Sequence, residues 1–223
     1  AAGEAIGLRP DMDDNPMQAM FLADRLEWQD AREGSAIAWD IQAWVGKDEN
    51  RLLLRAEGER VDGATEENRV ELLWWRPVAS HWNVVSGLRQ EFEPASPRTY
   101  VAVGVMGLAP GWVSVEATAW FGEGGRGGAG IEAETEWLLT QRLILVPRVE
   151  LEAWTREDKA NGIGDGPRAA AFGLRLQYEI HRKFAPYAGA EWTGLLGDTA
   201  DLARAAGDDV RGWRWVAGLA FWF

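Results

Sequence analysis

Apolar and polar residues alternate with a period of two along most of the chain. Counting back from the last residue, one face carries Phe223, Phe221, Leu219, Ala217, Trp215 and Trp213. The other carries Trp222, Ala220, Gly218, Val216 and Arg214. In 143–154, Leu143, Leu145, Pro147, Val149, Leu151 and Ala153 oppose Ile144, Val146, Arg148, Glu150, Glu152 and Trp154. In 131–139, Ile131, Ala133, Thr135, Trp137 and Leu139 alternate with Glu132, Glu134 and Glu136. In 172–180, Phe172, Leu174, Leu176, Tyr178 and Ile180 alternate with Gly173, Arg175, Gln177 and Glu179. This is the signature of strands with two unlike faces. Extended along the chain, it predicts about twelve strands, near 20–29, 36–46, 51–60, 67–76, 82–92, 98–108, 111–121, 130–139, 142–154, 168–180, 184–195 and 211–223. A helical template fits only 198–206, where Asp198 can cap a turn containing Leu202, Ala203 and Arg204. Tight turns at 47–50, 77–81, 109–110, 140–141 and 181–183 alternate with connections that are mostly longer and rich in Gly and Asp, above all 155–167 and 196–210. No Pro/Ser linker divides the chain.

Alternation does not say which face is inside. A soluble barrel puts the apolar face in; an outer-membrane barrel turns it toward lipid. Four features favour the second. Twelve strands enclose more space than apolar side chains fill, since about eight already give an interior that side chains just occupy. The polar face mixes Glu with Arg, a composition suited to a crowded lumen of carboxylate–guanidinium pairs. The strands are long enough to cross a bilayer when tilted. Trp39, Trp74, Trp82, Trp137, Trp192 and Trp213 sit near strand ends on the apolar face, where interfacial girdles form. The even strand count, with short turns alternating with longer loops, fits the same architecture, both termini then being periplasmic. The expected fold is therefore an all-β, antiparallel up-and-down transmembrane β-barrel over 20–223, with 1–19 as an N-terminal periplasmic segment. Phe223, preceded by aromatic or apolar residues at alternate positions, resembles the assembly signal of bacterial outer-membrane proteins. The chain shows no n-region or h-region, so a mature sequence is expected.

Composition sharpens this picture. The 223 residues include 14 Trp and no Cys, which excludes disulfides, thiolate metal sites and a cysteine nucleophile. No apolar run is long enough for a transmembrane helix. The net charge of −12 argues against nucleic acid as a partner. Of the basic residues only Lys47, Lys159 and Lys183 are lysines. On the barrel reading, the lumen carries the carboxylates Glu27, Asp40, Glu57, Glu71, Glu91, Glu116, Glu132, Glu134, Glu150 and Glu191. Their basic partners are Arg25, Arg55, Arg69, Arg89, Arg148, Arg175 and Arg214. Two readings stand side by side. Pairing can hold a narrow barrel shut, the usual remedy for buried charge; the excess of carboxylates can also make a path that favours cations.

The metal-capable residues gather at one end. His81 and His181 lie in tight turns, and Met12, Met17 and Met20 precede or open the first strand. Met106 lies near the same end of the sixth strand and is expected to point inward. Thioethers suit Cu(I), and imidazole suits Cu(I) and Cu(II). A single Met is ordinarily filler and a turn His ordinarily solvated, so it is the joint placement that points to a metal-capturing mouth.

Three stretches, Phe21-Leu22-Ala23-Asp24-Arg25-Leu26-Glu27-Trp28, Trp39-Asp40-Ile41-Gln42-Ala43-Trp44-Val45-Gly46 and Glu67-Asn68-Arg69-Val70-Glu71-Leu72-Leu73-Trp74, resemble the copper resistance protein B family. So do Gly104-Val105-Met106-Gly107-Leu108-Ala109-Pro110, Leu151-Glu152-Ala153-Trp154, 178–187 and Gly189-Ala190-Glu191-Trp192. The resemblance spans 15–223. It implies an outer-membrane barrel of Gram-negative bacteria that handles copper ions among membrane lipid and lipopolysaccharide, with a periplasmic multicopper oxidase as partner. The family often carries a Met/His-rich segment ahead of the barrel. Here Met12, Met17 and Met20 stand ahead of or at the start of the barrel, so either this member lacks the segment or the segment has been removed, and high-capacity copper storage is not expected of these residues. Three roles follow: a barrel that binds copper and moves it across the membrane, a closed barrel that docks an oxidase, and an outer-membrane hydrolase. The third would have to use Ser80 or Ser86 with His81, and no Asp partner is evident.

Overall fold

The computed structural model describes residues 15–31, 34–61, 64–92 and 96–223. Met12 and most of the expected N-terminal segment lie outside the described residues. The strands are β1 (Gln18–Ala31), β2 (Gly34–Lys47), β3 (Asn50–Val61), β4 (Ala64–Ala79), β5 (Trp82–Glu91), β6 (Arg98–Ala109) and β7 (Val113–Gly122). Then follow β8 (Gly127–Thr135), β9 (Trp137–Leu138), β10 (Leu143–Trp154), β11 (Gly166–Tyr178), β12 (Phe184–Leu195), α1 (Gly197–Ala206) and β13 (Arg211–Trp222). Each strand pairs antiparallel with its neighbours, and β13 pairs back onto β1, so the sheet closes. The seam is tied at the chain's last residue. Phe223 N donates to Phe21 O at 2.9 Å, and Phe21 N donates to Phe223 O at 3.0 Å.

The closed ring has twelve strands, because β9 continues β8 in the same register against β10. The interruption has a local cause. That register sets Thr135 opposite Pro147, which has no N–H to donate to the ladder. Two further irregularities matter for the interior. An extra residue, Asp24, bulges from β1 between Ala23 and Arg25, and Arg168 is the extra residue of β11 opposite Glu152 and Ala153.

The outer surface is apolar. Leu52, Leu54, Leu72, Trp74, Val101 and Val103 are exposed, each on the opposite face from a buried neighbour, and Leu151 and Trp213 are exposed between half-buried ones. That is the inverse of a soluble barrel and the pattern of a lipid-facing one. The sign-mixed face points inward: Glu27 is 1% exposed, Arg175 3% and Arg148 4%.

The interior is not uniformly polar. Leu53, Leu73, Val85, Tyr100, Ala102, Trp120, Trp154 and Ile163 form one buried cluster, with Trp44, Trp75 and Met106 packed against it. Trp120 and Trp154 meet edge to face with centroids 5.5 Å apart. Gly128 makes room for them, because a Cβ there would stand 2.7 Å from the Trp120 ring. Gly128→Val is therefore expected to displace Trp120 and lower stability by about 1–3 kcal/mol, the range for overpacking, read as a fall in the urea midpoint of the folded barrel.

Both long connections that the sequence marked fold back on the barrel. Ile163 inserts into the interior cluster, and Gly164 N donates to Thr199 Oγ1 of α1 at 2.9 Å. The helix begins one residue earlier than expected, with Leu196 in the capping position. Asp198 lies in the first turn, and Leu196 makes no side-chain cap. Thr199 is occupied by the neighbouring loop instead.

Candidate functional site

Strand parity turns every sequence-identified lumen charge inward, and all seven guanidiniums have carboxylate partners. Arg25 lies 3.4 Å from Glu57 and 3.7 Å from Asp40. Arg55 grips Glu116 with both terminal nitrogens and reaches Glu71 at 3.3 Å. Arg69 pairs with Glu57, and Arg89 donates Nε to Glu91 at 2.7 Å while standing 3.7 Å from Glu71. Arg148 pairs with Glu132 and lies within 4.0 Å of Asp24, Asp40 and Glu150. Arg175 donates to Glu27 at 2.7 and 3.0 Å and to Glu191 at 2.6 Å. Arg214 reaches Glu59 at 2.6 Å and Gln29 at 2.9 Å. Glu134 shares the inward face, opposite Arg148 in the register. Low exposure makes such pairs costly to break.

Two cavities open into this interior from opposite ends. The larger, about 720 Å³, is a vestibule at the long-loop end, whose walls include Arg25, Glu57, Arg69, Arg89, Glu150 and Arg214. The smaller, about 250 Å³, lies at the short-turn end and is lined by His81, Asn83, Met106, Gly107, Leu108, Ser114, Val115 and Glu116. They have no lining residue in common. Between them runs a chain of alternating charge, Glu116–Arg55–Glu71–Arg89, whose first member faces one cavity and whose last faces the other.

The smaller cavity brings together two of the five metal-capable residues within the described chain. His81 sits in the β4–β5 turn, and Met106 on β6 lies opposite both Asn83 and Glu116. The Asn83 amide donates to Met106 O at 3.3 Å. This places a thioether, an imidazole and a carboxylate around one space. Met20 lies opposite Trp44 in the register, which puts it on the lumen face at the same end, three strands from the His81 turn. Met17 precedes β1 and is 66% exposed. His181 lies in the β11–β12 turn, on the other side of the same rim. Among the described residues no group of three or more His, Asp or Glu has the spacing of a preformed metal cage.

Four contributors escaped the sequence pattern. Asp24 and Arg168 point inward because they are the extra residues of two bulges, which shift the parity by one. Arg168 donates to Glu152 at 2.7 Å, and Arg148 reaches Asp24 at 3.6 Å. Asn83 shares the parity of Val85 and Arg89, a signal that was available. Asp158, on the loop after β10, is 8% exposed and accepts from Arg98 at 3.1 Å. No periodicity marks a loop residue of that kind.

The whole barrel has known relatives. A family model described as copper resistance protein B precursor matches residues 17–223. The chain is 49% identical over 210 residues to a protein of Pseudomonas syringae pv. tomato named Copper resistance protein B homolog. It is 40% identical over 210 residues to Copper resistance protein B of Escherichia coli. Each alignment covers 94% of this chain and 71% of the relative. Among solved structures, the NanC porin superposes with a TM-score of 0.57 at 10% identity, over 92% of this chain and 99% of that one. The KdgM porin does so with a TM-score of 0.52 at 12% identity, over 92% and 98%. At these identities the likeness is one of fold, that of an outer-membrane β-barrel.

Proposed function

Because this chain belongs to the copper resistance protein B family, we propose that it binds copper ions at its short-turn mouth and passes them across the outer membrane through the charged lumen. The observation that carries this reading is the convergence of His81, Met106 and Glu116 on one cavity at that mouth. Thioether and imidazole form a soft donor pair suited to Cu(I), and imidazole with carboxylate extends the site to Cu(II). Met17 and Met20, at the start of β1, and His181, across the rim, act as further capture points. With both termini periplasmic, the mouth faces the periplasm, and the barrel's apolar belt lies among lipid and lipopolysaccharide. The ion here is cargo, and the barrel has no catalytic role.

Copper titration of the purified barrel tests the capture site. The paired substitutions His81→Ala and Met106→Leu are expected to weaken copper binding about tenfold or more, the loss typical of damaged metal sites. Identical titrations of the variant and the parent protein would show that the mouth is not the copper site.

A second reading is favoured by the ion pairs that separate the two cavities. On this view the barrel is closed and serves as an outer-membrane dock for a periplasmic multicopper oxidase. It predicts no copper flux into vesicles, whereas transport predicts flux that depends on the lumen.

A further inference from the structure

The rows of charge inside the barrel follow two different rules. Along two rows of the wall built by β3 to β6, opposed residues alternate in sign. Arg55 faces Glu71 and Glu71 faces Arg89; one row away, Glu57 faces Arg69, Arg69 faces Glu91 and Glu91 faces Arg98. One row of the wall built by β7, β8 and β10 breaks the rule, although Arg148 faces Glu134 beside it. Glu116 faces Glu132, and Glu132 faces Glu150. Opposed residues in a sheet have Cβ atoms about 4.5–5.5 Å apart, and like charges there are destabilising. Asp40 also faces Glu57, but Arg25 and Arg69 flank that pair within its row, whereas the row Glu116–Glu132–Glu150 spans three strands with no cation in it.

The like-charged row also has a direction. Barrel strands tilt, so a row of opposed residues climbs the wall as it passes from strand to strand. This row starts beside Met106, which faces Glu116 across β6 and β7. Glu116 lines the short-turn cavity and Glu150 lines the vestibule at the other end. Its counter-charges come from outside the row. Arg55 reaches across the lumen to Glu116, and Arg148 holds Glu132 while lying 4.0 Å from Glu150.

From this we infer that Glu116, Glu132 and Glu150 form a stepwise cation route, with Arg55 and Arg148 as tethered counter-ions that a passing cation displaces. The inference rests on the transport reading and names its path. A copper ion held by His81 and Met106 finds its next oxygen ligand in Glu116. Taking that ligand frees Arg55, which keeps Glu71 as an alternative partner at 3.3 Å. The same exchange at Glu132 frees Arg148, which keeps Asp24 and Asp40 within 3.7 Å. Each displaced guanidinium therefore stays paired, and the pairs that shut the lumen at rest are the ones that open it.

The test uses the whole barrel in phospholipid vesicles, with copper ions added outside and a copper-sensitive dye within. Glu132→Gln is expected to slow copper influx about tenfold or more, since it removes a charged ligand from the route. Copper titration at the mouth should be unchanged, and Glu132→Asp should retain most of the flux. Glu150→Gln is a second variant with the same expectation, in case either substitution prevents folding. Asp201→Asn, on the exposed face of α1, should behave as the parent protein. Parental flux in both Gln variants overturns the route and leaves transport standing. Absence of flux in the parent protein overturns transport, and the route with it.

Discussion

Replacing Arg175 with Met is expected to cost the barrel about 3–5 kcal/mol, the loss usual when one partner of a buried ion pair is removed. Arg175 donates three hydrogen bonds, two to Glu27 and one to Glu191. Its side chain is 4% exposed and those of its partners 0% and 10%, so water cannot take its place. Glu27 would keep the 2.9 Å bond from Gln29. The pair also bridges β1 and β11, which are not neighbours in the sheet, so it braces the barrel across its lumen. Urea unfolding in detergent, followed by tryptophan fluorescence, measures the loss. Combining Arg175→Met with Glu27→Gln should recover part of it, because the more deeply buried of the two stranded charges is then gone. A fall below about 1 kcal/mol would place the pair with exposed salt bridges, which are worth that or less.

The barrel was legible in the sequence because its two faces meet different solvents. A strand that touches lipid on one side and a charged lumen on the other must alternate, and the run from Pro147 to Ala153 does so without a break. The lumen pairs were legible for the same reason: parity alone puts Arg148 and Glu150 inside. Parity fails where the backbone breaks period. Asp24 and Arg25 are adjacent and both reach the lumen, an arrangement that only a bulge permits. A pattern-based reading assigns one of them outward. The excess of Trp divides in a way that composition cannot reveal. Trp74 and Trp213 face outward, whereas Trp120 and Trp154 fill the interior, where Arg89 lies 3.9 Å over the Trp120 ring. The scarcity of Lys is consistent with that interior, since planar guanidiniums make the paired and stacked contacts it needs. The mouth was legible only in part. Turn position put His81 and His181 at one end, but two turns at one end can stand on opposite walls, and strand order decides which residues meet.

Shortening the loop between β10 and β11 is expected to raise ion conductance severalfold, because that loop folds over the long-loop end of the barrel. Its hold has two parts. Asp158 is gripped by Arg98 at 3.1 Å and lies 4.0 Å from Arg126, and Ile163 is 2% exposed among Tyr100, Trp120 and Trp154. Replacing 156–164 with a short Gly/Ser linker removes both and leaves β10 and β11 paired through Leu143–Tyr178 to Glu152–Ala169. Burial of Ile163 is worth about 1.5–3 kcal/mol, so the variant should still fold, at a modestly lower urea midpoint. Single-channel recording in planar bilayers reads the result. Higher conductance with cation preference kept would identify the loop as a lid over a passage whose selectivity lies deeper, among the lumen carboxylates. Unchanged conductance would locate the restriction at the ion pairs between the two cavities. Adding Arg55→Gln to the shortened loop then separates the two functions proposed for the barrel. A conduit should open further once Glu116 is released, whereas a closed docking barrel should remain sealed by the other pairs that span its lumen.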